Sequence, residues 1–179
     1  MLKKILIAVA LLILAFVVVV ALQPSEFKVE RTAAIAAPPA EVFPHVNNFH
    51  NWEAWSPWAK LDPNAKVAFE GPDAGTGASM SWAGNDKVGE GKMTMTESAP
   101  NDLAKIKVDF VKPFEGSVDS AFGFKPEGDQ TQVTWTMTAH HNFVEKAFCL
   151  VMNGKKMMAG EMDKGLANMK SVVGSAKKT

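Results

Sequence analysis

The sequence predicts an α+β fold in which seven antiparallel strands are closed by one long C-terminal helix, with two short helices after the first strand. Three observations carry this. Residues 155–173 repeat apolar side chains at helical spacing. From Ala65 onward, short alternating stretches are separated by turn-forming Gly, Pro, Asn and Asp. Between the first strand and that run lies a proline-opened, tryptophan-rich segment whose apolar spacing is helical.

The C-terminal helix is the clearest element. At 100° per residue, Met158, Met162, Gly165, Leu166, Met169, Val172 and Val173 fall within about 120° of one another. Lys156, Asp163, Lys164, Lys170 and Ser171 take the remaining circumference. Such a stripe needs a partner surface, and the strands supply one.

The N-terminus is different in kind. Lys3 and Lys4 precede residues 5–22, which carry no charged or polar side chain and span about 27 Å as a helix, close to a bilayer's hydrocarbon thickness. The run is longer than the 7–15 apolar residues of a secretory signal, so it reads first as an uncleaved anchor. Val19 and Ala21 keep open cleavage after Ala21, which would release a secreted domain. In either case the two lysines hold the N-terminus in the cytoplasm and put the domain on the extracytoplasmic (periplasmic) side. The expected division is an anchor or signal segment at 1–23 and one domain at 24–179.

Taken in order, residues 27–35 alternate as a half-buried strand, with Arg31 out of pattern on the apolar face. Pro38 and Pro39 end it, and Pro39 is well placed to open a helix over 40–48. Trp52, Trp55 and Trp58 follow at three-residue intervals, with Pro57 breaking the turn between the last two. They read as a plug against the sheet, or alternatively as the mouth of a cavity or a membrane-interface contact. Strands follow around Val67 and Phe69, Met80 and Trp82, then Met93 and Met95, and then Ile106, Val108 and Phe110. Two more carry Val118, Phe122 and Phe124, and Val133, Trp135 and Met137. Short turns imply an antiparallel meander. A helix over 143–152 and a break at Asn153-Gly154 lead into the final helix.

Composition excludes several functions. The 19 basic and 19 acidic residues balance, and setting aside Lys3 and Lys4 leaves the remainder slightly acidic, so no basic field recruits nucleic acid. Cys149 is the single cysteine, which excludes an internal disulfide and a cysteine-based zinc cluster. It reads as a small core residue.

Element order and local text together resemble the helix-grip proteins of the START, birch-pollen-allergen and polyketide cyclase/dehydrase superfamily (SRPBCC). The cyclase/dehydrase-like branch is echoed in FKVERTAAIAAPPAEVFPHVNNFHNWEAWSPW, GTGASMSWAGN, KPFEGSVDSAFGFKP, TQVTWTM and GKKMMAGEMDKGLANMK. The resemblance covers residues 27–173 and leaves out the leading apolar segment. It implies a curved sheet wrapped around the C-terminal helix with an apolar cavity between them.

The residues expected to line that cavity are Trp82, Met93, Met95, Phe110, Phe122, Trp135, Met158, Met162, Gly165 and Met169. A mid-helix glycine costs about 1 kcal/mol relative to alanine. Gly165 therefore marks a close approach, made either by Trp135 or by a ligand. Flexible methionines fill irregular cores and also suit promiscuous apolar sites. Catalytic residues are not identifiable. His140 and His141 stand at a strand end, His45 and His50 are spaced badly for one helical face, and Asp119 faces out by parity. Glu90 is a further candidate for proton transfer, and Glu161 borders the apolar stripe. Neither a cofactor nor a metal is implied. The leading expectation is binding of a hydrophobic small molecule or lipid, with the membrane contacted through residues 5–22. The alternatives are a polyketide cyclase/dehydratase-like enzyme, requiring a titratable group in the cavity, and a membrane-anchored interaction module with a filled core.

Overall fold

The computed structural model describes residues 1–176; residues 177–179, the end of the expected 24–179 unit, lie outside the described residues. Helix α1, Leu2–Leu22, is apolar around its circumference after Lys4 and exposed except at Val20. It is long and apolar enough to cross a membrane. Gln23, Pro24 and Ser25 then lead directly into β1, Glu26–Ile35.

The expected helix over 40–48 is two pieces, α2 (Pro39–Val42) and α3 (Pro44–Asn47). Pro44 has no N–H to continue the first helix but suits the opening turn of the second. A 3-10 turn, Phe49–Asn51, joins α3 to α4, Trp52–Trp55. Strands β2 (Lys66–Glu70), β3 (Ser79–Ala83), β4 (Glu90–Ala99), β5 (Leu103–Lys112), β6 (Gly116–Glu127) and β7 (Gln130–His140) complete the sheet. Their order is β1-β7-β6-β5-β4-β3-β2, all antiparallel: a meander whose last strand returns to pair with the first. Register shifts at Glu90/Gly91 and Met95/Glu97 interrupt the β4–β5 ladder, and such bulges bend a sheet.

Helix α5, Phe143–Val151, opens on a capping box: Asn142 accepts from the backbone of Val144 and Glu145, and the Glu145 carboxylate accepts from the Asn142 N–H at 2.7 Å. Asn153 then turns the chain at a positive φ of 53°, a conformation asparagine tolerates better than most residues. Helix α6, Gly154–Ala176, is longer at both ends than the expected 155–173. Its buried residues, Ala159, Met162, Gly165, Leu166, Met169 and Val173, press onto the concave face of the sheet. Arg31 leans to the same helix and pairs with the exposed Asp163 at 3.2 Å.

The turn after β1 is tied to β7 inside the protein. The Thr131 hydroxyl, fully buried, donates to the carbonyl of buried Ala37 at 2.6 Å. Thr131→Val keeps the shape and removes the donor. An orphaned buried acceptor costs about 1–3 kcal/mol, so chemical unfolding of the full chain in detergent should show a loss of that size.

Candidate functional site

Between the sheet and α6, in the region expected to line a ligand cavity, aromatic rings pack against one another. Phe122 on β6 and Trp135 on β7 are directly opposed in the ladder. Their rings stack at 4.7 Å between centroids and 25° between planes. Trp55 meets Trp135 edge-on at 5.8 Å, and Trp58 meets it at 5.9 Å. Trp52 and Trp55 both present edges to Phe122. Offset and edge-to-face contacts of this kind add about 0.5–1.5 kcal/mol per pair beyond area burial.

Each buried indole also satisfies its N–H. Trp52 donates to the Val46 carbonyl at 2.9 Å, Trp55 to the His45 carbonyl at 2.8 Å, and Trp135 to the Ser120 hydroxyl at 2.9 Å. The rings are therefore fixed in orientation as well as packed. Asn168 on α6 donates to the Trp55 carbonyl at 3.1 Å, latching the helix to α4.

Gly165 lies beneath this cluster. A Cβ there would stand 2.9 Å from Cζ3 of Trp135 and 3.1 Å from Cδ of Pro57. The mid-helix glycine is thus explained by an indole and a proline ring resting on bare backbone. Trp82 repeats the device on the sheet: its ring lies over Gly91, the residue facing it on β4, and its N–H reaches the Val88 carbonyl at 3.0 Å.

Of the residues expected to line a cavity, Met93, Met95, Phe122, Trp135, Met162, Gly165 and Met169 are buried in this interior. Trp82, Phe110 and Met158 are partly buried at its margin, with Trp82 and Phe110 edge-to-face at 5.8 Å. Among the described residues, the buried polar side chains are Ser56, Ser79, Ser120 and Thr131, none of which titrates near neutrality.

The titratable candidates lie at the rim or surface. His45 is half-buried, and loss of hydration holds its pKa below the ordinary histidine value. His50 stacks on Phe69 at 3.8 Å and His141 lies 4.8 Å from Phe27. Glu161 pairs with Lys164, and Glu90 pairs with Lys112. Asp119 faces the outer side of the sheet, in a shallow hollow of about 290 Å³ with Lys105, Thr136 and Thr138.

A second cleft, of about 180 Å³, opens where α1, β1, α5 and α6 converge. Phe27, Cys149 and Leu150 give it apolar walls; His141, Lys146 and Lys155 give it a polar rim. The Lys146 ammonium donates to the Gln23 carbonyl at 3.0 Å, and the Lys155 ammonium stands 6.0 Å from the centre of the Phe27 ring. None of the ten expected residues lines either concavity. Sequence reasoning passed over the second one because its residues come from three separate elements, β1, α5 and α6, and from the joints beside them. The usable signal was the apolar run through 143–151 immediately before the final helix.

Residues 26–174 match the family described as polyketide cyclase / dehydrase and lipid transport. The chain belongs to that family. Family membership points to hydrophobic-ligand binding or cyclase-type chemistry. Solved structures share its fold at low identity. Protein TTHA0849 from Thermus thermophilus aligns with a TM-score of 0.61 and 18% identity, over 84% of this chain and 99% of its own. Protein MLL2253 from Mesorhizobium loti aligns with a TM-score of 0.62 and 12% identity, over 83% and 98%. Protein CV1439 from Chromobacterium violaceum aligns with a TM-score of 0.56 and 13% identity, over 84% and 98%. A search of curated proteins returns no match.

Two glycine substitutions in α6 separate the packing above Gly165 from helix propensity. Gly160→Ala, with nothing within 4 Å of the new Cβ, should stabilise by about 0.5–1 kcal/mol. Gly165→Ala gains the same propensity but overpacks two rigid rings, at about 1–3 kcal/mol. Denaturant unfolding should therefore show opposite signs, with a net loss of about 1 kcal/mol at Gly165.

Proposed function

We propose that this chain is a membrane-anchored domain that binds a hydrophobic molecule or lipid at the membrane-facing end of the helix grip. The observation that carries this reading is the cleft beside the exit of α1, where Phe27, Cys149 and Leu150 meet Lys146 and Lys155. Its volume of about 180 Å³ is below the roughly 300–1,000 Å³ of sites that enclose a whole small molecule. A ligand held there has one part in the cleft and the remainder in the bilayer. The apolar walls suit an acyl or polyketide-like chain, and the lysines suit an acidic head group. Family membership supports the ligand class, and the aromatic packing over Gly165 supports placing the ligand at the end of the grip rather than its centre.

Lys3 and Lys4 favour a cytoplasmic N-terminus, with the domain on the extracytoplasmic side. A second reading, a membrane-anchored interaction module with a filled core, draws on the same packing and predicts no retained lipid. For cyclase or dehydratase chemistry, His141 at the cleft rim is the available proton-transfer group.

The test is photolabelling of the full chain in lipid nanodiscs with a diazirine-bearing palmitate, with adducts mapped by mass spectrometry. Adducts at Phe27 and Cys149 that excess unlabelled palmitate suppresses are expected. Adducts confined to α1, or insensitive to competition, overturn the reading; competed adducts at Phe122 or Trp135 would return the ligand to the interior.

A further inference from the structure

Helix α5 is amphipathic in the wrong sense for a helix in water. At 100° per residue, Leu150, Phe143, Ala147, Val151, Val144 and Phe148 share one arc of about 160°. That arc points outward: Val144 is 73% exposed, Val151 69% and Phe148 64%. The polar side chains occupy the inner arc. Glu145 is turned back to cap Asn142, and Lys146 reaches the Gln23 carbonyl. Cys149 packs against the core. None of α5 is fully buried, so the domain itself does not cover the apolar arc.

The position of α1 identifies what does. Helix α1 packs against α5, and Val20 in its last turn is fully buried. Only Gln23, Pro24 and Ser25 separate α1 from β1, and three residues reach at most about 10 Å. With α1 across a bilayer, α5 therefore stands at that bilayer's surface. Lys155 and Lys156, exposed at the start of α6, adjoin it. Lysines in that position attract anionic head groups.

We infer that α5 is an interfacial helix, its outer arc of Phe143, Val144, Phe148 and Val151 immersed in an anionic bilayer beside α1. Interfacial helices sink about 5–10 Å into the boundary between head groups and acyl chains. The domain is then held on the membrane at two points and cannot swing about the short joint. Its 180 Å³ cleft faces lipid. The inference rests on α1 spanning the bilayer and is independent of what the cleft binds.

Spin-label accessibility of the full chain tests it. Single cysteines at Val144, Phe148 and Val151, in a Cys149→Ser background, carry nitroxides in phosphatidylcholine/phosphatidylglycerol vesicles. Val9 in α1 and Asp129 in the distant β6–β7 turn are the references. Val9 should be relaxed by oxygen, which concentrates in the bilayer, and Asp129 by a water-soluble nickel chelate. The three α5 positions should behave like Val9, with nickel accessibility several-fold below that at Asp129. Nickel accessibility at Phe148 equal to that at Asp129 overturns the inference, and so does protection from both reagents, which would mark a covering protein or a second copy. A nickel-accessible Val9 overturns the membrane span and the inference together. Competed photolabelling at Phe27 does not depend on the outcomes at the three α5 positions.

Discussion

The stack of Trp135 on Phe122, resting on the bare backbone of Gly165, is the contact on which the rest of the structure depends. It joins β6, β7, α4 and α6 at one point, and each neighbour is shaped to permit it. Gly165 removes the Cβ that would strike the indole, Ser120 takes up its N–H, and Pro57 fills the flank. Trp52 and Trp55 close the remaining sides, their own N–H groups anchored to the carbonyls of Val46 and His45. Because interiors are packed near crystal density, no ring in the cluster moves without moving another.

That contact redirects the functional question. A helix-grip fold offers space wherever the sheet curves away from its helix, and here aromatic side chains pack over Gly165 in that region. Among the described residues, the polar side chains buried in the protein are Ser56, Ser79, Ser120 and Thr131. Polarity and concavity come together at the end of the grip where α1 meets β1, α5 and α6. The same end carries the outward-facing apolar arc of α5, and the proposed membrane contact accounts for both features.

Much of the fold was legible because its signals are local. Alternation gave all seven strands, the spacing of Met162, Leu166 and Met169 gave the long helix, and Asn153-Gly154 marked its start. The split between α2 and α3 turned on Pro44 alone, which the apolar spacing of Val42, Phe43 and Val46 masked. The interior was half legible: a glycine amid the apolar stripe signalled a close approach, and Trp135 was one of the two occupants considered. Pro57 as the second contact was not visible, because it depends on how α4 folds back over α6. The cleft was illegible for the same reason, since Phe27 and Cys149 are over a hundred residues apart and meet only when β1 pairs with β7. For α5, sequence gives an apolar helix, and only the structure shows which face points outward.

We propose that the interior is closed by Trp135 and that binding belongs to the end of the grip. Xenon uptake tests this most directly, because xenon enters dry apolar cavities without needing a recognised ligand. A crystal of the full chain under xenon pressure should show no xenon between Trp135 and α6, whereas Trp135→Ala should admit it above Gly165. Xenon or an acyl chain between the sheet and α6 of the unaltered protein would contradict the account.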